Sequence, residues 1–328
     1  MLIAQISDLH CREAQSSTLL GVDINRNIAS AVARLNGLSP RPDLVIATGD
    51  LTGGGKPDQY AALDALLAPL ELPLYLLPGN HDEREAFLAA FAGRYGVEDR
   101  DADFMQTVID TGPVRLVALD TIHPGHHNGG IPDERLACLD DTLAAAADAP
   151  TLIYMHHPPF RTGIWWMDRL GILDGLSGLA DVLGRHDQIV GMVAGHLHRT
   201  IHATFAGVPV TVAPTTCYAV DLDIHDEAAP KVTAEPPGFM LHWWQADTLV
   251  SHTLFLDGHQ VEDVTALMHN WPARLERMRA RPLQRSMVGE GPPPSTLTLL
   301  GSAGGVSAAS SEIVALRRGL FLLFVSWK

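Results

Sequence analysis

Five short segments of the 328-residue chain carry side chains of the kinds that bind metal ions in proteins. They are Asp8-Leu9-His10, Gly49-Asp50, Gly79-Asn80-His81-Asp82, His156-His157 and Gly195-His196-Leu197-His198. Oxygen and imidazole ligands suit hard or borderline divalent metals, whereas thiolates favour softer ions. A cysteine comes near these segments only at Cys11, one residue after His10. The residue types therefore predict a metal site with oxygen and nitrogen ligands.

The spacing of these residues suits two metal ions. Two ions about 3.5–4 Å apart need a bridging ligand, and an Asp carboxylate serves well. Asp50, alone at the end of its segment, is the candidate bridge. Asp8 and His10 alternate along an extended segment and can face one side together, and His196 and His198 have the same relation. Glycine tolerates a positive φ, which predicts sharp turns before the ligands at Gly49, Gly79 and Gly195.

An apolar run directly precedes most of these segments. The runs cover residues 1–6, 44–47, 74–77, 152–155 and 189–194. Such runs are typical of buried strands in a parallel sheet. Open α/β sheets place their sites at the carboxyl ends of their strands, so we expect the five segments to converge at such an edge.

Helical periodicity between the runs predicts an α/β fold. Apolar residues recur at helical spacing in residues 25–38, 58–70, 83–91, 133–147 and 177–186. Strands that alternate with helices indicate βαβ units and a largely parallel sheet. Two hairpins are predicted later in the chain, residues 200–205 with 208–213 and residues 240–244 with 249–256. They suggest a second sheet packed on the first.

A change of composition near residue 256 predicts a domain boundary. We assign residues 1–256 to one domain, and residues 257–328 to a C-terminal extension with a basic helix at about 261–281. A Pro/Gly/Ser-rich stretch follows at residues 289–311, and such stretches seldom pack. The apolar end, residues 319–327, could be a strand docking on the body or on a neighbouring chain, but residues 286–328 suggest no function.

The five segments, in this order over residues 1–200, resemble the signature of the calcineurin-like metallophosphoesterases. The resemblance extends to Val22-Asp-Ile-Asn25, Leu77-Pro-Gly-Asn-His-Asp82 and Met155-His-His-Pro-Pro159. These stretches are similar to the branch that contains the class III cyclic-nucleotide and glycerophosphodiester phosphodiesterases. The resemblance implies a four-layer α/β/β/α sandwich and two divalent ions, with Fe, Mn, Zn and Co all open. The region 214–237 would form a cap or dimer contact, so a homo-oligomer is expected.

The resemblance also implies a role for each motif residue. One ion would be bound by Asp8, His10 and His198, the other by Asn80, His156 and His196, and both by Asp50. His81 and Asn80 would contact the phosphate, and His81 would also assist the leaving group. The expected reaction is hydrolysis of a small phosphodiester by a metal-bound hydroxide without a covalent enzyme intermediate, in which His81, Asp50 and Asn80 act as catalytic residues.

Several neighbouring residues have competing interpretations. Trp165 and Trp166 follow the predicted strand before His156 and are either core residues or a wall of the substrate site. His157 is expected to support the ligands or to pack, since His156 already fills the ligand position. A solvated loop is expected around His123, His126 and His127 in preference to a third metal site.

The charge pattern bears on the substrate. The net charge of −15 disfavours a nucleic-acid polymer as partner, because that surface would need clustered Lys and Arg. Few cations lie near the motifs: Arg12, Arg84, Arg161 and Arg169. A diester carries less charge than a monoester, so sparse cations favour a diester, as the resemblance also implies. Glycerophosphodiesters, 3′,5′-cyclic nucleotides and aryl diesters all remain open. A phosphomonoesterase and a nuclease remain alternatives, and a non-catalytic scaffold of this fold is a third.

Cysteine content and hydropathy predict the compartment. The chain has three cysteines without a C-x-x-C spacing, which indicates free thiols in a reducing environment. Residues 1–10 are interpreted as a strand and not as a signal peptide. The apolar runs are shorter than the ~18 residues of a membrane span, so a cytoplasmic protein without a membrane partner is expected.

Overall fold

The computed structural model describes residues 1–13, 18–98, 104–256, 261–264 and 270–280. The chain divides into two compact units, Met1–Gln260 and Val261–Lys328. The second unit contains the described helix Trp271–Ala280, so the predicted helix at 261–281 begins later than expected, and residues 261–264 are not helical. The predicted tail, residues 286–328, lies outside the described residues.

The elements follow one another along the chain in this order: β1 (Leu2–Ile6), β2 (Thr18–Leu19), β3 (Val22–Asp23), α1 (Ile24–Asn36), β4 (Leu44–Thr48), α2 (Pro57–Leu67), β5 (Leu74–Leu77), α3 (Arg84–Phe91), β6 (Val108–Asp110), β7 (Arg115–Leu119), β8 (Gly129–Gly130), α4 (Asp133–Ala144), β9 (Thr151–Met155), β10 (Ile172–Asp174), α5 (Leu176–Leu183), β11 (Ile189–Ala194), β12 (Ile201–Phe205), β13 (Val208–Val212), β14 (Ala219–Val220), β15 (Val232–Thr233), β16 (Gly238–Gln245), β17 (Thr248–Phe255) and α6 (Trp271–Ala280). The helices α1 to α5 correspond to the five predicted from periodicity.

The strands form two large mixed sheets. The first has the order β17-β16-β1-β4-β5, and the second has the order β12-β13-β11-β9-β7-β6. In the first sheet β1, β4 and β5 are parallel, and in the second β13, β11, β9 and β7 are parallel. The remaining strands of these two sheets are antiparallel to their neighbours at the sheet edges. Three two-stranded sheets, β2-β3, β8-β10 and β14-β15, complete the set.

Both predicted hairpins are confirmed, because β12 pairs with β13 and β16 pairs with β17 in antiparallel register, but the prediction that they build the second sheet is wrong. The hairpins do not form a sheet of their own: β13 extends the second sheet beside β11, and β16 extends the first sheet beside β1. The parallel strands are divided between the two sheets instead. Strands buried on both faces show no alternation of apolar and polar residues, so their sequence does not reveal which sheet each one joins.

The two sheets pack face to face between two helical layers, which confirms the predicted four-layer α/β/β/α sandwich. Alternate residues of β9 face two different hydrophobic cores, as expected for a strand of an inner layer. Leu152 and Tyr154 belong to the core shared with the first sheet and α1 to α3, whereas Ile153 and Met155 belong to the core beneath α4 and α5. Gln5 of β1 also links the sheets, because its Nε2 donates to the Ala194 carbonyl of β11 over 2.9 Å.

Candidate metal centre

The carboxyl ends of five parallel strands bring the predicted ligands together where the two sheets meet. Asp8 and His10 follow β1, Asp50 follows β4, and Asn80 follows β5 in the first sheet. His156 follows β9, and His196 and His198 follow β11 in the second sheet. Six of these side chains are buried; the exception is the partly exposed Asn80.

One group of donor atoms gathers around His10. The donor atoms of Asp8, His10, Asp50 and His198 all lie within 4.8 Å of one another. The His10 and His198 Nε2 atoms are 3.0 Å apart, His10 Nε2 lies 3.4 Å from Asp50 Oδ2, and His198 Nε2 lies 3.5 Å from Asp8 Oδ1. Two carboxylates and two imidazoles thus face one small space.

A second group gathers around Asn80. Its Oδ1 lies 3.0 Å from His156 Nε2 and 2.9 Å from His196 Nδ1. His156 Nε2 is also 3.3 Å from Asp50 Oδ1. Asp50 therefore presents one carboxylate oxygen to each group, the placement that a bridge between two ions requires.

Hydrogen bonds to backbone carbonyls orient two of the imidazoles. His156 Nδ1 lies 2.8 Å from the Thr48 carbonyl, and His198 Nδ1 lies 2.7 Å from the Tyr218 carbonyl. Each Nδ1–H must donate to its carbonyl, which leaves the Nε2 lone pair directed at the cluster. His196 Nε2 is buried and finds no hydrogen-bond partner among the described residues. These free nitrogen lone pairs fit the ligands of a bound divalent ion.

The electrostatics of the cluster favour a cation. Burial lowers the pKa of His10 and of His196 well below the usual value, so both rings are neutral and can act as ligands. Burial alone would raise the pKa of Asp50, but His156, His81 and the hydrogen bond from the His81 amide outweigh it and hold this pKa below its usual value. Burial raises the pKa of Asp8 to about 7, and a nearby cation would favour its ionised form.

The backbone around the ligands is tightly constrained. Five of them adopt a positive φ of 45° to 71°, which L-residues hold at some cost: Asp8, His10, Asp50, His196 and His198. The predicted positive φ is found at Gly49 (93°) but not at Gly79 or Gly195. Those two glycines allow close approach instead, because a Cβ at Gly79 would overlap the Asp50 amide and one at Gly195 would overlap Ser7 Oγ.

Asp82 ties two of the ligand loops together, a role that the motif alone does not indicate. Its carboxylate accepts hydrogen bonds from the amides of Gly79 at 2.8 Å and Leu51 at 2.9 Å. It also accepts from Tyr60 Oη at 3.0 Å. Burial is the main reason why the pKa of Asp82 is raised. The Asp50 and Asn80 loops are thereby held in one arrangement.

The predicted supporting histidine, His157, lies directly behind the cluster. It is fully buried, with Nδ1 2.9 Å from Thr121 Oγ1 and Nε2 3.1 Å from the His127 carbonyl. Burial lowers its pKa to about 3. Both ring nitrogens already contact protein, although its ring also lies 4.5 Å from that of His196, centre to centre.

A cavity of about 250 Å³ opens above the cluster, and we call it the aromatic cavity. Its walls come from the loop after β9 and from residues 218–232: Trp166, Met167, Leu170, Tyr218, Val220 and Val232. Trp166 thus lies where a substrate wall was expected. Trp165 is not among the residues lining this cavity, and its ring instead stacks against Arg169 with the guanidinium 3.9 Å from the ring centre.

His81 lines the same cavity. Its amide donates to Asp50 Oδ1 over 2.9 Å, and its ring meets that of His10 edge-on at 4.8 Å. His127 of the exposed loop also reaches this cavity, with its Nδ1 3.1 Å from Asn80 Nδ2. The loop of His127, which was predicted to be solvated, therefore contacts the predicted metal ligand Asn80. Neither His127 nor Tyr218 was a predicted site residue, since only the fold brings them there.

Three of the four arginines near the motifs are engaged elsewhere or exposed. Arg84 pairs with the buried Asp120 at 2.7 Å, and Arg169 covers Trp165. Arg161 is 84% exposed and lies 3.8 Å from Asp168. Arg12 lies beside Gly53, next to the ligand loops. Of these four arginines, only Arg12 is therefore placed to add positive charge near the aromatic cavity, where its charge acts on Tyr218.

Comparison with known proteins identifies the protein family to which the chain belongs. Residues 1–200 match the calcineurin-like phosphoesterase family, and the chain belongs to this family. The chain is 32% identical over 257 residues to a "probable glycerophosphodiester phosphodiesterase" of Arcobacter nitrofigilis, which covers 78% of this chain and 93% of the relative. It is 35% identical over 256 residues to a "probable cyclic nucleotide phosphodiesterase" of Rhodopseudomonas palustris, with 77% and 91% covered.

The fold also matches solved structures. A dimetal phosphatase from Danio rerio superposes with a TM-score of 0.56 over 78% of this chain and 96% of the other, at 16% identity. This likeness concerns the fold. Among the described residues, no helix has the length and apolar character needed to cross a membrane.

Proposed function

We propose that this chain is a dinuclear-metal phosphodiesterase that hydrolyses small phosphodiesters. The observation that carries the proposal is the position of Asp50, whose two oxygens lie 3.4 Å from His10 Nε2 and 3.3 Å from His156 Nε2. Relatives named as glycerophosphodiester and cyclic-nucleotide phosphodiesterases support the choice of a diester.

Each ion would be held by one group of side chains. Asp8, His10 and His198 would bind the first, Asn80, His156 and His196 the second, and Asp50 both. Bound divalent ions would lower the pKa of a water molecule and offset charge on the phosphoryl oxygens. Mixed oxygen and nitrogen ligation suits Fe, Mn, Zn or Co, so availability decides which ions are bound.

The chain's own residues would orient the diester. His81 and Asn80 line the cavity beside the cluster, so they can contact the phosphoryl oxygens, and His81 can donate a hydrogen bond to the leaving oxygen. Trp166 would cover an apolar part of the substrate. A diester, with its single negative charge, suits a cavity near which only Arg12 of the four arginines adds positive charge.

We also propose a homo-oligomer and a cytoplasmic location. Leu222 and Ile224, in the segment 214–237, are 61% and 67% exposed, as an apolar contact between copies would require. Sedimentation that shows monomer at all concentrations would contradict the oligomer. The three free thiols suit a reducing compartment, which cell fractionation would test.

Hydrolysis of bis(p-nitrophenyl) phosphate and p-nitrophenyl phosphate tests the proposed activity. Metal-stripped protein is assayed with and without Mn²⁺, Zn²⁺, Co²⁺ or Fe²⁺. We expect metal-dependent turnover that favours the diester. Preference for the monoester would indicate a phosphatase, and a lack of turnover with every metal would favour a scaffold. Cleavage of single-stranded DNA in preference to small diesters would indicate a nuclease.

A further inference from the structure

A second cavity of about 440 Å³ adjoins the aromatic cavity, and the mechanism proposed above does not use it. It lies between the Gly53–Gly54 turn, the start of α3 and residues 122–127, and we call it the histidine-loop cavity. The two cavities share Asn80, His81 and His127. They therefore meet beside the position where the phosphoryl group would bind.

This arrangement distinguishes two kinds of phosphodiester. In an acyclic diester, two separate alcohols diverge from the tetrahedral phosphorus, so two cavities meeting at the phosphate can accept one each. In a 3′,5′-cyclic nucleotide, both ester oxygens belong to the same sugar, and the second cavity would stay without an occupant. The two joined cavities therefore suit an acyclic diester, and we call its two alcohol groups the arms of the substrate.

The lining of the histidine-loop cavity is polar and carries groups of both signs, the carboxylates of Asp82 and Glu83 and the guanidinium of Arg84. Arg84 shares Asp120 with Arg135, and its Nη1 is buried without an acceptor among the described residues. Glu83 caps α3 through the amides of residues 85 and 86 and retains acceptor capacity. The exposed rings of His123 and His126 stack with centres 4.2 Å apart. A hydroxylated alcohol such as glycerol suits this lining, because each hydroxyl can donate to a carboxylate and accept from a guanidinium.

From this geometry we infer that the histidine-loop cavity binds one hydroxylated arm of an acyclic phosphodiester, while the other arm lies in the aromatic cavity. This inference rests on the proposed function and adds its substrate class. The arm in the histidine-loop cavity passes His81, because His81 lines both cavities. A hydroxyl on that arm would accept a hydrogen bond from Arg84 or donate one to Glu83.

Gly54 offers a way to fill this cavity selectively. Its φ is not positive, and a Cβ there would meet only Gln59 Oε1 at 3.7 Å, an ordinary contact. Because Gly54 lines the cavity, Gly54→Phe adds a ring at the cavity wall, and the nearest atom to its Cβ does not belong to a predicted ligand. Gly54→Ala adds a methyl group too small to fill it and serves as the matched control. Neighbouring Gly55 is unsuitable, because its φ is 67° and a Cβ would press against Glu83.

The test compares two probes in the metal-loaded enzyme: sn-glycero-3-phosphoethanolamine, with two arms, and methyl p-nitrophenyl phosphate, with one arm reduced to methyl. Gly54→Phe should lower the ratio of kcat/KM for the first probe to kcat/KM for the second by about tenfold or more. Gly54→Ala should keep the wild-type ratio. Circular dichroism and metal content of both variants verify the fold.

Three other outcomes would overturn the inference, and a fourth would overturn the proposed function. An unchanged ratio in a folded, metal-loaded Gly54→Phe variant would overturn the inference, as would wild-type enzyme that hydrolyses only the methyl ester. Equal losses on both probes would also overturn it, since the cavity would then not discriminate between the arms. If the wild-type enzyme hydrolyses neither probe with any metal, the proposed function itself fails.

Discussion

Protonation of His242 should make the protein sensitive to mild acid. This histidine of β16 is fully buried, with Nε2 2.9 Å from Gln5 Oε1 and Nδ1 2.8 Å from Ser251 Oγ. Gln5 Nε2 donates to Thr48 and Ala194, so its Oε1 faces His242 and accepts the Nε2–H. The neutral ring is therefore satisfied on both sides between the two sheets.

The size of the effect follows from the pKa of the ring. Burial, with a smaller contribution from His202, lowers the pKa of His242 from 6.5 to about 3. The folded protein thus prefers the neutral ring, and its stability falls as the pH drops from 6.5 towards 3. At pH 5 the loss amounts to about 2 kcal/mol, and it approaches about 5 kcal/mol below pH 3.

Urea unfolding of the wild type and of His242→Gln at pH 7 and pH 5, under identical metal conditions, isolates this contribution. The Gln side chain can still donate to Gln5 but does not titrate. Between the two pH values the wild type should lose about 2 kcal/mol more of its free energy of unfolding than the variant does. The same loss in both proteins, within about 0.5 kcal/mol, would refute a neutral buried ring at this position.

Three further predictions probe the candidate centre. Asp50→Asn should reduce bound metal by about one ion per chain and lower kcat/KM about 100-fold or more; unchanged metal content and turnover would exclude a bridge. Gly79→Ala forces a Cβ against the Asp50 amide and should cost about 1–3 kcal/mol in urea unfolding, whereas Gly53→Ala, whose Cβ would have its nearest neighbours at 3.6 Å, should stay within about 0.5 kcal/mol. Equal losses in these two variants would contradict the steric argument. Trp166→Ala should lower kcat/KM for aryl diesters about tenfold at unchanged metal content, and an unaltered substrate preference would exclude a substrate wall.

The elements of the first domain could largely be predicted from the sequence. Local periodicity found α1 to α5, because each helix shows a single apolar face. The strands β6 and β7 were not predicted, and the partition of parallel strands between two sheets was predicted wrongly. Pairing of distant strands depends on contacts between faces that are all apolar, as in β9, and a local pattern does not encode it.

The residues gathered at the candidate centre could be predicted because each directly follows a buried parallel strand, although these strands belong to two packed sheets. The contributions of Asp82, His127 and Tyr218 could not, since each acts through contacts with distant parts of the chain. The glycines also show that contacts between distant parts of the chain are not predicted from the sequence. The sequence suggested backbone freedom at Gly79, whereas the structure shows a close approach to the Asp50 amide.

The most direct test of the central claim is electron paramagnetic resonance of the metal-stripped protein titrated with Mn²⁺. If Asp50 bridges two ions, a spin-coupled Mn²⁺ pair should appear as the second equivalent binds, and it should be absent in Asp50→Asn. Signals of isolated Mn²⁺ at every ratio in the wild type, or the same coupled signal in Asp50→Asn, would contradict a dinuclear centre bridged by Asp50.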